Sequence, residues 1–409
     1  MKTDVAVIGG GAAGLIAAGT AASRGLSAIL LEPNDRLGCK LRITGKGRCN
    51  LTNNCGVKEF LTNVPTNPKF LYSCLTAFSP ADAMGFFEGI GLALKTERGN
   101  RVFPVSDSAN EAADRLANWV KAQGVQIVKA RAVDVEREDG SVSAVRTDKG
   151  AIPCRAVIVC TGGLSYPATG STGDGYGFAG ELGHNVTPRH PSLVPLECAE
   201  SFCAELAGFS PRNVTLTAFE DGRPVYRELG EMLFTHFGVS GPLVLSASAH
   251  MRRFEACRYT LAIDFKPALD EEKLDARILR DFSKYANRDF ANALSELEAH
   301  SFIPVLVRCT GIAPETKVHD ITRAQRRGLV ALLKAFPLTA TGPRPVEEAV
   351  ITSGGVDVRQ VDPRTMQSKL VPGLYFAGEI LDTDAYTGGF NLQIAWATGR
   401  CAGSHVLME

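Results

Sequence analysis

The chain opens on a short apolar run that stops abruptly in glycine. Val5 to Ile8 shows no polar alternation, which is typical of a strand buried on both faces of a parallel sheet. Small apolar residues from Ala12 onward predict a helix that ends at Gly25. A second apolar run, Leu26 to Leu31, follows and ends in an acid, Glu32. The pattern therefore predicts a strand–helix–strand unit at the start of the chain.

Three glycines at the predicted turn, Gly9, Gly11 and Gly14, have the G-x-G-x-x-G spacing of dinucleotide-binding folds. The first allows a tight turn, the second lets a diphosphate approach the backbone, and the third lets the helix pack closely on the strand. The helix N-terminus, at Ala12 and Ala13, offers free N–H groups and a partial positive charge. These residues predict a diphosphate site, with a turn that binds no ligand as the alternative.

The acid at the end of the second strand narrows the choice of ligand. Glu32 lies 18 residues beyond Gly14, where a carboxylate can accept both hydroxyls of an adenosine ribose. A carboxylate at this position also repels a 2′-phosphate, which disfavours NADP. The start of the chain therefore favours FAD or NAD.

The end of the chain shows a similar pattern. Leu374 to Glu379 reads as a buried strand that ends in Gly378 and an acid, and Gly389 precedes a predicted helix from Phe390. A second helix N-terminus would point another partial positive charge at a ligand. The later acid can bind polyol hydroxyls, which the ribityl chain of FAD provides and NAD lacks. Both ends of the chain are therefore predicted to bind one FAD.

The middle of the chain changes character. Residues 189–268 contain short β-rich segments and are predicted to form an inserted β-barrel domain. Residues 269–330 are charged with a helical period, which predicts a helical subdomain, and residues 331–347 return through the barrel. The flanking residues 1–188 and 348–409 would then form the FAD-binding domain.

Composition excludes several classes of protein. The 409 residues suffice for two or three domains, and 44 basic against 44 acidic residues give no net charge to attract nucleic acid or an anionic membrane. No apolar run is long enough to span a bilayer, and the first strand begins too early to leave room for a leader, so we expect a cytoplasmic protein. Eleven irregularly spaced cysteines and seven unclustered histidines predict neither a disulfide framework nor a metal site.

A loop rich in glycine and cations follows Glu32. Gly47 allows a tight backbone, and Lys40 and Arg48 can meet phosphate oxygens or an anionic flavin ring. Asn50 lies in the same loop. A solvated basic loop is the alternative on charge alone.

These motifs together resemble the BaiN/YhiN-like flavoproteins, a group that includes NAD(P)/FAD-dependent oxidoreductases and the aminoacetone oxidase family. The motifs that carry the resemblance span nearly the whole chain: Ile8 to Gly14, Ile43 to Asn53, Thr161 to Gly175, Leu233 to Pro242, Gly373 to Glu379, and Thr387 to Asn391. The resemblance implies an α/β fold. Its glutathione-reductase-like FAD-binding Rossmann domain would be interrupted by an inserted β-barrel domain and a small helical domain.

The resemblance also implies particular cofactor contacts. It adds Val133 beside adenine, Thr161 and Gly162 on the ribose side, and Asn391 at the flavin pyrimidine edge. The full set of expected FAD-binding residues is Gly9, Gly11, Ala12, Ala13, Gly14, Glu32, Lys40, Gly47, Arg48, Asn50, Val133, Thr161, Gly162, Gly378, Glu379, Gly389, Phe390 and Asn391.

The expected activity is hydride transfer between flavin N5 and a small organic substrate. We expect an NAD(P)H-linked reductase, with an enone or steroid-like compound as a candidate substrate. The sequence contains no second dinucleotide fingerprint, so NAD(P)H would bind only transiently. Tyr386 and His236 are the candidate catalytic proton donors, although a buried, hydrogen-bonded histidine is the more common outcome.

Two other functions stay open on the sequence. One is an oxygen-using amine oxidase of the aminoacetone oxidase type. The other is a flavin-containing RNA-binding module, for which Arg323, Arg326 and Arg327 supply a small basic face. Neutral overall charge makes nucleic acid the less favoured partner, and the sequence does not fix the oligomeric state.

Overall fold

A computed structural model describes residues 3–408 of the chain. Its internal contacts divide it into two units. The first contains the described residues up to Ser192 and those from Val346 onward, and the second runs from Leu193 to Pro345. We predicted divisions after residues 188 and 347. The predicted subdivision of the insert stays a prediction.

Strands and helices are numbered separately in chain order. Up to Ser192 they are β1 (Thr3–Ile8), α1 (Ala12–Ser23), β2 (Ala28–Leu31), α2 (Cys39–Ile43), β3 (Thr52–Asn53), α3 (Val57–Thr62), α4 (Tyr72–Ala77), α5 (Pro80–Gly89), β4 (Leu94–Glu97), β5 (Arg101–Pro104), α6 (Ala109–Ala122), β6 (Gln126–Val128), β7 (Ala132–Glu138), β8 (Ser141–Thr147), β9 (Gly150–Val159), α7 (Asp174–Glu181) and β10 (His190–Ser192). The second unit contains β11 (Leu196–Cys198), α8 (Phe202–Glu205), β12 (Arg212–Glu220), β13 (Arg223–Glu231), β14 (Leu233–Thr235), β15 (Gly238–Ser240), α9 (Pro242–Ser248), β16 (Tyr259–Asp264), α10 (Glu271–Lys284), α11 (Phe290–Ala293), α12 (Ile303–Thr310), α13 (Arg323–Lys334) and β17 (Phe336–Pro343). The returning segment of the first unit adds β18 (Ile351–Ser353), β19 (Leu374–Phe376) and α14 (Phe390–His405).

The first unit is built on a parallel sheet. Its strands pair in the order β6-β2-β1-β9-β19, and each of these pairs is parallel. The first half of β9 also pairs with β8 in an antiparallel meander, β7-β8-β9. Since parallel strands end at the same edge, the carboxyl ends of β1, β2, β9 and β19 lie together. The predicted α/β architecture is present.

The two ends of the chain meet through helices α1 and α14. A Cβ at Gly399 would lie 2.4 Å from the carbonyl oxygen of Ala13, and one at Gly403 would lie 2.5 Å from that of Ala17. Only glycines on α14 allow the two backbones to approach this closely. The small residues of α1 therefore fix the C-terminal helix against the N-terminal strand–helix–strand unit.

The second unit contains an antiparallel sheet in the order β13-β12-β16-β17-β11-β15-β14. Backbone hydrogen bonds also join β14 to the chain before β12, from Met232 N to Pro211 O (3.2 Å) and from Phe234 N to Phe209 O (2.9 Å). Helices α10, α12 and α13 share one apolar core with this sheet. Closure of the sheet into the predicted barrel stays a prediction. No helix in the described part of the chain is both long and apolar enough to cross a membrane.

Candidate cofactor site

The turn between β1 and α1 places its three glycines in different environments. Gly9 has φ +104°, and a Cβ there would lie 2.5 Å from the carbonyl oxygen of Cys160. A Cβ at Gly14 would lie 1.9 Å from the carbonyl oxygen of Gly9. Around Gly11, by contrast, a Cβ would meet no described heavy atom within 4 Å. The N-cap residue of α1 is Gly11, which has no side chain to cap the helix. The turn therefore leaves open space beside the uncapped N–H groups at the start of α1, as a diphosphate requires.

Glu32 directly follows β2 at the same edge of the sheet and is only 8% exposed. Its Oε2 accepts a hydrogen bond from Gly10 N (2.8 Å), and its Oε1 accepts one from Asn34 N (2.9 Å). These two amides fix the orientation of the carboxylate. Each oxygen retains a further acceptor position, so the carboxylate can still receive ribose hydroxyls.

Lys40 and Glu379, both predicted to bind the cofactor, are in direct contact. Lys40 Nζ lies 2.6 Å from Glu379 Oε2. Glu379 follows Gly378, where a Cβ would lie 2.8 Å from the Cβ of Ala13 in the first turn of α1. The ion pair is therefore held close to the glycine turn at the N-terminus of α1.

Two further residues at this ion pair, Ser165 and Thr352, were not among those predicted from the sequence. The hydroxyl of Ser165 contacts both Lys40 Nζ (2.7 Å) and Glu379 Oε1 (3.0 Å). Thr352 N donates to the same Oε1 at 2.9 Å. Ser165 lies in the motif from Thr161 to Gly175, whereas Thr352 lies outside the motifs, and no local pattern links positions so far apart in the sequence.

The N-terminus of α14 packs against residues from an earlier part of the chain. Gly389 has φ +99°, and a Cβ there would lie 2.4 Å from the carbonyl oxygen of Thr52. With its amide oriented to satisfy both atoms, Asn50 accepts from Gly389 N (3.0 Å) and donates to Thr52 O (3.3 Å). The ring of Phe390 packs edge-on against Phe60, with 5.0 Å between the ring centroids. Asn50, Gly389 and Phe390 therefore lie together, while their contact with a cofactor stays a prediction.

The side chain of Asn391 bonds to the loop that precedes α14. Its Oδ1 accepts from Ala385 N (2.9 Å), and its Nδ2 donates to Ala385 O (2.7 Å). Nδ2 also lies 3.3 Å from the carbonyl oxygen of Tyr386. The amide thus fixes this loop, and its predicted role at the flavin is untested.

Arg48 forms ion pairs with two acidic residues. Its Nη2 lies 2.6 Å from Glu97 Oε1 and 2.6 Å from Asp107 Oδ1. Its guanidinium also covers the ring of Phe103 at 4.2 Å. Hydrogen bonds from Arg48 lower the pKa of Glu97, and hydrogen bonds from Lys95 and Arg48 lower the pKa of Asp107. These contacts fix the loop around Gly47, which has φ +85°.

The remaining predicted contacts lie after β9 and on β7. The hydroxyl of Thr161 is buried and has no hydrogen-bond partner among the described residues. Gly162 follows it with φ +74°. Val133 is 47% exposed at the start of β7. An orphaned hydroxyl at the carboxyl edge of the sheet is what a polar ligand would satisfy.

The two candidate proton donors lie in different units. His236 occupies the turn between β14 and β15 in the second unit, where it is exposed and its ring contacts Phe237. The buried alternative for this histidine is therefore wrong. Tyr386 is half-buried in the first unit, and its backbone N–H donates to Asn63 O at 2.9 Å. A catalytic role for either residue stays a prediction.

The residues present fit FAD at its diphosphate, adenosine and ribityl parts. The open space at Gly11, the buried carboxylate of Glu32 and the orphaned hydroxyl of Thr161 lie at one edge of the parallel sheet. The second acid, Glu379, is held near the start of α1. This is the arrangement of a dinucleotide-binding Rossmann site.

Comparison with known proteins also indicates a Rossmann domain. The family described as HI0933-like protein Rossmann domain matches residues 3–405. A Clostridium scindens protein, 3-dehydro-bile acid delta(4,6)-reductase, is 31% identical over 98% of both chains. A Haemophilus influenzae ribosomal RNA dihydrouridine synthase is 30% identical over 97% of this chain and 96% of its own. A flavocytochrome c3 fumarate reductase shares the fold, with a TM-score of 0.53 and 16% identity over 100% of this chain and 79% of its own.

The chain therefore belongs to the HI0933-like Rossmann family. This is a family of FAD-dependent oxidoreductases, and the chain is an enzyme of that class. The resemblance to BaiN-like flavoproteins and the FAD-binding Rossmann fold predicted from the sequence are confirmed.

Proposed function

We propose that this enzyme reduces a carbon–carbon double bond conjugated to a carbonyl group. The proposal is carried by the full-length similarity to two relatives whose named reactions share this chemistry. A delta(4,6)-unsaturated 3-oxo bile acid has its double bonds in conjugation with the ketone. Uridine has its C5–C6 double bond in conjugation with the C4 carbonyl. In uridine and at the C4–C5 bond of the bile acid, a hydride adds to the carbon β to the carbonyl and a proton adds to the α carbon. At the C6–C7 bond of the bile acid, the hydride adds to the δ carbon and the proton to the γ carbon.

The first unit would hold the cofactor for this reaction. Gly9, Gly11 and Gly14 with the start of α1 bind the diphosphate, Glu32 binds the adenosine ribose, and Glu379 binds the ribityl chain. FAD supplies the hydride at flavin N5 when it is bound. Tyr386 and His236 are the candidate donors of the proton. NAD(P)H is the proposed source of electrons and would bind transiently.

Anaerobic mixing tests the reaction. The protein is reduced with NADH or NADPH and mixed in separate reactions with a 3-oxo-delta(4,6) bile acid, a ribosomal RNA containing uridine, and the saturated bile acid as a control. We expect a conjugated acceptor to restore the oxidised flavin spectrum within turnover time, with a product two hydrogen atoms heavier. The saturated control should leave the flavin reduced.

A different outcome would favour one of the alternatives. If aminoacetone bleaches the flavin, only oxygen restores it, and no conjugated acceptor reacts, the enzyme is an amine oxidase and the proposal is wrong. If only the RNA reacts, the substrate is a nucleic acid. The second unit carries nineteen basic and nineteen acidic residues. RNA would therefore have to be recognised by local contacts rather than by net charge.

A further inference from the structure

Four residues from four places in the chain, Lys40, Ser165, Thr352 and Glu379, form one polar network in the first unit. Glu379 Oε2 lies 2.6 Å from Lys40 Nζ, while its Oε1 accepts from Ser165 Oγ (3.0 Å) and Thr352 N (2.9 Å). Lys40 Nζ donates to Ser165 Oγ as well, at 2.7 Å. The charged side chains of Lys40 and Glu379 are 21% and 20% exposed. The carboxylate therefore has a partner for each of its oxygens.

Thr352 is the member of this network that joins the segments to one another. It is fully buried, and its Oγ1 accepts from the backbone N–H groups of Leu164 (2.7 Å) and Ser165 (3.2 Å). Its own N–H donates to Glu379. One residue thus binds both the carboxylate and the loop that carries Ser165.

The loop after β9 approaches this network without room for a side chain. A Cβ at Gly163 would lie 2.5 Å from Thr352 Oγ1 and 2.8 Å from Glu379 Oε1. The separation between loop and carboxylate is therefore set by Thr352 and by the absence of a side chain at Gly163. A displacement of Thr352 would therefore move both the loop after β9 and the carboxylate of Glu379.

A half-buried ion pair depends strongly on its geometry. Its two charges are partly removed from water, and their attraction repays that cost only while the hydrogen bonds are well formed. The network also lies close to α1, through the contact of Gly378 with Ala13. The network therefore lies beside the glycine turn that we propose binds the diphosphate.

We propose that Thr352 is a positioning residue of the cofactor site. By binding Glu379 and the amides of Leu164 and Ser165 together, it holds the Lys40–Glu379 ion pair where FAD binds. It thereby sets how slowly FAD leaves the enzyme and the reduction potential of the bound flavin. The proposal rests on FAD binding alone and does not depend on the substrate of the proposed reaction.

The test compares Thr352→Val with Thr352→Ser in the flavin-loaded protein. Valine keeps the shape but removes the acceptor for two buried N–H groups, whereas serine keeps the hydroxyl. FAD release is followed by the return of free-flavin fluorescence after dilution. We expect release about tenfold faster in the valine variant and within about twofold of the native rate in the serine variant. The reduction potential should fall with valine, because a less firmly held ammonium stabilises the reduced ring less.

Thr147→Val is the matched control. The Thr147 hydroxyl is also buried, donates to Gly150 O (2.7 Å) and accepts from Lys149 N (3.1 Å), but it lies in the β8–β9 turn. If Thr352→Val lowers the unfolding temperature as this control does, yet leaves FAD release and potential unchanged, Thr352 is merely structural and the proposal is wrong.

If Thr352→Val does not fold, Ser165→Ala tests the proposal instead. It removes the hydroxyl that Lys40 and Glu379 share but leaves the amides and Thr352 in place. Several-fold faster FAD release from this variant supports the proposal, and unchanged release overturns it. Because no substrate is added, the proposed reaction can fail without affecting this result.

Discussion

The N-termini of α1 and α14 carry similar sequence signals but are built differently. A glycine precedes each helix, and no side chain from its own cap residue closes either one. At Gly11 an added Cβ would lie in open space. At Gly389 it would lie 2.4 Å from the carbonyl oxygen of Thr52.

The difference separates two reasons for a glycine at the start of a helix. Gly11 has φ −82°, which any residue adopts, so the structure of the chain alone does not require glycine there. A ligand that approached the backbone at Gly11 would require glycine there. Gly389 has φ +99° and a close backbone neighbour, so the fold itself requires glycine. The α1 terminus therefore has space for a ligand beside its backbone, whereas the α14 terminus is packed against the chain.

The largest expected effect is on stability at Gly389. Gly389→Ala introduces both a strained backbone conformation and a clash with Thr52 O, and we expect it to lower the free energy of unfolding by about 3 kcal/mol. Denaturant titration measures this loss. Gly140→Ala is the control, because Gly140 has φ +80° with no neighbour within 4 Å and therefore isolates the strain. Equal losses in the two variants would show that the close packing at Gly389 contributes nothing.

A smaller effect is expected at Gly11, and mainly on binding. Because Gly11 is the N-cap residue of α1, Gly11→Ala should lower the free energy of unfolding of the flavin-free protein by about 1 kcal/mol or less. It should weaken FAD binding about tenfold or more, because the methyl group occupies the space that the diphosphate needs. Fluorescence titration with FAD measures the binding. Native affinity in this variant would mean that the diphosphate does not approach Gly11.

The smallest effect concerns the acids that bind Arg48. Hydrogen bonds from Arg48 lower the pKa of Glu97 in the folded protein, and hydrogen bonds from Lys95 and Arg48 lower that of Asp107. The stabilisation from these two acids is therefore present above their ordinary pKa values of 4.5 and 3.8. It is lost as the pH falls through the lowered values. We expect Arg48→Gln to reduce the loss of stability on acidification in this range, without affecting the α1 terminus.

Thermal unfolding between pH 6 and pH 3 measures the dependence on Arg48. Arg155→Gln, which removes an exposed ion pair with Asp4 (3.2 Å), is the control. A pH profile of Arg48→Gln identical to that of the native protein would show that this cluster does not stabilise the loop.

The fold of the first unit was largely predictable from local patterns. The apolar run Val5 to Ile8 and the glycines after it predicted β1 and the start of α1, because a buried parallel strand and a tight turn each restrict residue type locally. Leu374 to Glu379 predicted β19 for the same reason. Lys40 and Glu379 were both predicted to bind the cofactor, but their direct contact was not predicted.

The fold class, the family and the dinucleotide fingerprint could be predicted from the sequence, since these depend on residue type at short, fixed spacings. How those residues are used depends on long-range packing in the folded chain. The tertiary structure paired Arg48 with Glu97 and Asp107, exposed His236, and made Thr352 the link between Glu379 and the loop after β9. Hydrogen bonds and ion pairs depend on distances in space, and positions tens to hundreds of residues apart in the sequence leave no local pattern that records them.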